Sequence, residues 1–275
     1  MSGPSLAELR ATGQPDAVTA RRNEEHWAGR RYMRRLSPYG TWVFARLGWS
    51  PNAVTWLMIV VGVVAGAVVA VGGFATAVAA AVLIQVYLLL DCSDGELARW
   101  SRRTSVTGVY LDRVGHYLAE TALLAGVGIR AQGHYALSGG YVSVGMAAAI
   151  CAILVKAETD NVIVARAKAG LAIDGADGAA GAPGADGAAS AAGAGAVLEP
   201  VHAGLARARR LASALRLHRM IQAVELSLLV VAAAAIDALR GGLAATRILA
   251  AACLAVGAAM VVAHLAAILA SRRLR

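Results

Sequence analysis

The sequence predicts an all-α, polytopic integral membrane protein with six transmembrane helices and an N-terminal interfacial amphipathic helix. Three observations carry that reading. The 275 residues are 58% hydrophobic with a mean hydropathy of +0.60, a membrane composition. The apolar residues gather in six runs, at 53–72, 74–91, 106–129, 139–156, 219–239 and 246–270, each near the roughly 20 residues that a helix needs to cross a bilayer core. With the N-terminus placed in the cytoplasm, only Arg130, Arg240 and Arg247 of the 26 Lys and Arg fall on the far side, so the positive-inside rule puts both termini in the cytoplasm.

Residues 1–20 lack periodicity and read as a disordered N-terminus. They hold no short apolar core with a cleavage site, so no signal peptide is expected. In 21–50 the pattern changes: Trp27, Tyr32, Leu36, Tyr39, Trp42, Val43 and Leu47 alternate with Arg30, Arg31, Arg34, Arg35 and Arg46. A basic, aromatic-rich helix beside a crossing reads as lying in the interface, with a break at Ser37-Pro38. Ser50 and Pro51 then supply an N-cap and a first-turn proline. They open a membrane domain, 51–168, that contains crossings one to four.

Residues 169–200 are low-complexity Gly/Ala/Asp without the bulk to bury, a flexible cytoplasmic loop whose Asp-Gly pairs lack calcium-loop spacing. Residues 201–275 hold a basic juxtamembrane segment and crossings five and six. A net charge of +9 would suggest nucleic acid in a soluble protein; here its placement assigns it to anionic headgroups, and no nucleic acid is expected. Cys92, Cys151 and Cys253 are odd in number and scattered, so no disulfide framework or CxxC metal site is indicated.

The chemistry concentrates at the end of the second run, in the stretch DCSDGELAR, residues 91–99. On a helix Asp91 and Asp94 share a face with Gly95 and Ala98, two residues with almost no side chain. After a basic turn the chain re-enters the membrane with Gly108, Asp112 and His116 spaced four apart along one face. If the two helices are neighbours, these polar faces meet near the cytoplasmic boundary. Ionisable residues at that depth mark a functional site, and clustered carboxylates call for a divalent cation. Oxygen ligands favour Mg2+ or Mn2+ over zinc, an inference that one imidazole weakens. Two such ions could neutralise a pyrophosphate, with Arg99 on a phosphate.

The run Asp91-x2-Asp94-Gly95-x2-Ala98-Arg99-x8-Gly108-x3-Asp112-x3-His116 resembles the signature of the CDP-alcohol phosphatidyltransferase family, D-x2-D-G-x2-A-R-x8-G-x3-D-x3-D. Seven of its eight fixed positions match with the spacing intact. The resemblance implies a homodimer in the cell membrane whose site faces the cytoplasm. There an alcohol, or a phosphorylated alcohol, would attack a CDP-linked lipid such as CDP-diacylglycerol and release CMP. It implies that Asp91, Asp94 and Asp112 bind two Mg2+ or Mn2+ ions, and that Gly95, Ala98, Arg99 and Gly108 line the nucleotide and phosphate pocket. Asn52 and Thr55 would lie near the nucleotide.

His116 stands where the family has its fourth Asp, implied to be a ligand and the general base. An imidazole can serve as either. Glu120, one turn further along, is expected to orient the ring. Glu96, off the Asp face, is read as a solvated helix-end charge. Lys156, Arg166 and Lys168 are read as ordinary cytoplasmic-side charges rather than as an acceptor-phosphate site. Two other classes compete with an enzyme. An ion-coupled transporter would show midplane sites and repeats, and a catalytically silent membrane scaffold would not need the acids.

Overall fold

Ser50 and Pro51 do what their chemistry dictates. Ser50 is extended and its Oγ accepts from the Ala53 amide at 3.2 Å, while Pro51 takes the first helical position, where no N–H is required. The helix they open is one of six long ones among the described residues. The computed structural model describes residues 4–15, 28–135, 137–171 and 221–271, and the elements among them are all helical. In chain order these are α1 (Leu6–Gly13), a π-helical turn (Gly29–Met33), α2 (Arg34–Arg46), α3 (Pro51–Ala70), α4 (Phe74–Ser101), α5 (Val106–Gln132), α6 (Gly140–Lys168), α7 (Ala223–Arg240) and α8 (Ala244–Leu269).

The six long helices stand where the six apolar runs place them. Four of them, α3, α4, α6 and α8, are long and apolar enough to cross a membrane. The other two carry charge: α5 holds Asp112, Arg113, Glu120 and Arg130, and α7 holds Glu225, Asp237 and Arg240.

The helices close into a ring in the order α4, α3, α5, α6, α8, α7 and back to α4. Small residues set the tightest seams. A Cβ at Gly66 would strike the Ala122 backbone and one at Gly126 the Gly66 carbonyl, so α3 and α5 meet backbone to backbone. Between α5 and α6, a Cβ at Gly128 would lie 2.7 Å from the Gly145 Cα. By contrast the backbones of α4 and α5 stay apart, and α3 packs against both. The two motif helices therefore meet through polar side chains over α3, His116 Nε2 lying 3.2 Å from Asp91 Oδ1, rather than through close backbones.

At the far end of the ring, the buried Arg130 donates to Gly73 O at 2.7 Å and fixes the turn between α3 and α4. Asp237 caps α8, accepting from the Ala245 and Thr246 amides at 2.8 and 3.0 Å.

The N-terminal part departs from expectation. Residues 6–13, expected to be disordered, form α1. Its local pattern is weak because tertiary partners hold it: Arg99 Nε donates to Gly13 O at 2.8 Å, and Trp100 Nε1 to Glu8 Oε1 at 3.1 Å. Nor does Pro38 break its helix. Pro38 has no N–H for the Arg34 carbonyl four residues back, and the Gln14 side chain donates to that carbonyl instead, at 2.7 Å. Helix α2 turns Ser37, Pro38 and Thr41 inward and leaves Leu36, Tyr39, Val43 and Leu47 exposed. The expected Gly/Ala loop, from residue 172, and the basic segment 201–218 lie outside the described residues.

Candidate active site

Helix α4 ends just past the first half of the motif. Arg102 adopts the left-handed conformation at φ 52°, and the Arg103 amide reaches back to Ala98 O at 3.0 Å, closing the helix end. Three residues later the Ser105 Oγ accepts from the Gly108 amide at 3.0 Å and starts α5. This tight reversal fixes the register between the two halves of the motif.

That register brings Asp91, from α4, against Asp112 and His116, one turn apart on α5. His116 Nε2 lies 3.2 Å from Asp91 Oδ1 and 3.5 Å from Asp112 Oδ1. One ligand atom from each of the three residues falls within 4.8 Å of the others. All three side chains are partly exposed, at 19–26%, so the group is reachable from outside. Two carboxylates and one imidazole fit a divalent cation in donor chemistry and in spacing.

Asp94 is not part of this trio. It is buried on the same side of α4, and its Oδ2 accepts from Thr55 Oγ1 at 2.6 Å. Thr55 thus enters the site through Asp94. Asn52 enters through Gly108: a Cβ at Gly108 would lie 3.0 Å from Asn52 Oδ1, so the glycine lets the N-terminus of α3 approach α5. Gly95 and Ala98 are half-buried along the motif face.

Three expected residues have other partners. Glu120, expected to orient His116, forms an ion pair with Lys156 Nζ at 2.8 Å across α5 and α6. The His116 Nδ1 lies instead 2.6 Å from the Tyr87 hydroxyl, with the two rings edge to face. Arg99, expected on a phosphate, has its Nε on the C-terminal carbonyl of α1. Glu96, expected to be solvated, is wholly buried. Its Oε1 accepts from Gln14 Nε2 at 2.7 Å and from Ser37 Oγ at 2.5 Å, and its Oε2 accepts from Thr41 Oγ1 at 2.7 Å. The carboxylate therefore fastens α1 and α2 to the motif helix.

Tyr87 and Asp160 escape the sequence reading. Tyr87 precedes Asp91 by one turn, a spacing that marks a shared face, but a tyrosine inside an apolar run reads as core. Asp160, on α6, pairs with Arg113 and accepts from the Tyr117 hydroxyl at 2.5 Å. Together with the Glu120–Lys156 pair, it makes the wall of α6 beside the site a set of matched charges.

Residues 49–176 match the family model of CDP-alcohol phosphatidyltransferase. The match spans α3 to α6, the helices that build the trio and its walls. No curated protein matches the chain.

Proposed function

We propose that the chain, whose residues 49–176 match the CDP-alcohol phosphatidyltransferase family model, transfers a phosphatidyl group from a CDP-linked lipid such as CDP-diacylglycerol to a small alcohol acceptor, in phospholipid biosynthesis. The observation that carries this reading is the Asp91–Asp112–His116 trio, which sits at the two halves of the family motif with ligand atoms close enough to share one ion.

The bound cation, Mg2+ or Mn2+, would neutralise phosphate charge and stabilise the leaving nucleotide. Asp91, Asp112 and His116 would hold it, and Asp94 would supply a further carboxylate for a second ion. Thr55 fixes the Asp94 carboxylate, while Asn52 and Gly108 form the narrow wall against the nucleotide. The acceptor oxygen forms a bond to the donor phosphorus as the phosphoanhydride bond to CMP breaks. The acceptor proton passes to a carboxylate of the cluster rather than to His116, because both ring nitrogens face other protein groups. His116 then acts as ligand in place of the family's aspartate. Glu120 acts through Lys156, holding α6 beside α5.

The site lies at the end of the bundle that carries α1 and α2, which is the basic end and hence the cytoplasmic one. Helices α5 and α7 complete the ring and so cross the membrane with the other four. The exposed apolar stripe of α2 seats it in the interface, where the buried Ser37 and Thr41 meet Glu96. We place the protein in the cell membrane as a homodimer.

Purified protein given labelled CDP-diacylglycerol, Mg2+ or Mn2+ and a panel of acceptors tests the proposal. One acceptor should raise CMP release and yield a new labelled lipid. No lipid product with any hydroxyl acceptor would contradict it.

A further inference from the structure

We infer that Tyr87 is the positioning residue of the cation site, holding the His116 ring so that Nε2 is the ligand atom beside Asp91 and Asp112. The inference rests on the reading of that trio as a cation site.

The placement of Tyr87 is fixed from several sides. The residue is 3% exposed and belongs to the core cluster that Val54, Met58, Leu90 and Ala119 also form between α3, α4 and α5. Gly62 gives it room, since a Cβ there would lie 3.0 Å from Tyr87 Cδ2. The hydroxyl therefore has little freedom, and it ends 2.6 Å from His116 Nδ1.

The chemistry follows from the imidazole. A neutral ring carries one N–H and one lone pair, and only the lone pair can bind a cation. Nε2 is the nitrogen that faces the carboxylates, so Nδ1 must carry the proton and needs an acceptor. The Tyr87 hydroxyl accepts it, selecting the tautomer and stopping the ring from turning. Partners of this kind, one bond removed from the ion, orient the ligating ring. An aspartate at position 116 has no ring and no N–H for a hydroxyl to hold, so Tyr87 serves this chain's histidine and not the family's pattern.

The test uses the full chain in detergent with Mn2+ alone as the probe, following free Mn2+ by its electron paramagnetic resonance signal. Tyr87→Phe removes one oxygen and keeps the packed ring, and it should weaken Mn2+ binding by about tenfold or more, the lower end for loss of such a partner. In a His116→Asp background the same substitution should change affinity by less than about twofold, because there is no ring to orient. A smaller loss in the parent background overturns the inference. An equal loss in both backgrounds also overturns it, since Tyr87 would then act on the fold. If the unsubstituted chain binds no Mn2+, the cation reading itself fails and takes the inference with it. If it binds Mn2+ and Tyr87→Phe binds equally, only the inference fails.

Discussion

Replacing Glu96 by alanine should loosen the whole N-terminal part of the protein. The Glu96 carboxylate is fully buried and accepts from Gln14, Ser37 and Thr41. A hydrogen bond to a charged group contributes about 1.5–3 kcal/mol, so three would set an upper bound near 4.5–9 kcal/mol. Two of the donors have somewhere else to turn: Gln14 Nε2 also bonds Arg34 O at 2.7 Å, and Thr41 Oγ1 lies 3.0 Å from Ser37 O. Only the bond to Ser37 is then lost in full, and the expected destabilisation falls to about 2–4 kcal/mol. Glu96→Gln keeps an acceptor of the same shape and should lose about 1 kcal/mol. Unfolding by SDS titration of protein in mixed micelles, read by circular dichroism, measures both variants. If Glu96→Ala unfolds within about 0.5 kcal/mol of the parent, which is the scale of an ordinary surface change, the carboxylate does not fasten α1 and α2 to α4.

Further outcomes follow from the packing and from the site. Gly66→Leu should lose at least about 1–3 kcal/mol by overpacking, because a Cβ there meets the Ala122 backbone. Gly72→Ala, in open space, should match the parent in the same titration. His116→Ala should lower turnover by about tenfold or more by removing a ligand of the cation, while His116→Asp, which restores the carboxylate of the family pattern, retains measurable activity in the CMP-release assay. Glu120→Gln should act through Lys156, so its effect should shrink in a Lys156→Met background, and unchanged additivity in that cycle would show that the pair is not coupled. Replacing residues 172–196 by a short Gly/Ser linker that spans the ends should leave turnover unchanged; a well-inserted deletion that loses turnover would show a function for that segment.

The helices and the trio were legible because both depend on short spacings. Apolar runs of membrane length locate α3 to α8. The four-residue step from Asp112 to His116, with Asp91 just before a tight basic turn, brings the three together in the fold. Long-range pairings were not legible. Nothing near Glu96 in the sequence announces that Gln14, Ser37 and Thr41 will surround it, although the four-residue step from Ser37 to Thr41 inside an arginine-rich helix is a signal in hindsight. Helix α1 is short and held by Arg99 and Trp100 from a distant segment, so its own pattern is uninformative. The sequence points to Glu120 as the residue that orients the His116 ring, whereas its Nδ1 meets Tyr87, whose hydroxyl is hidden from any reading based on hydrophobicity.

The most direct test of the account is cation-dependent release of CMP from CDP-diacylglycerol by the purified chain, with and without the trio. Release should cease in EDTA and return with added Mn2+ or Mg2+. Asp91→Asn and Asp112→Asn should each remove most of it while the protein remains folded by circular dichroism. Full release in EDTA, or from a well-folded Asp91→Asn protein, would contradict the claim that these side chains hold the ion on which the transfer depends.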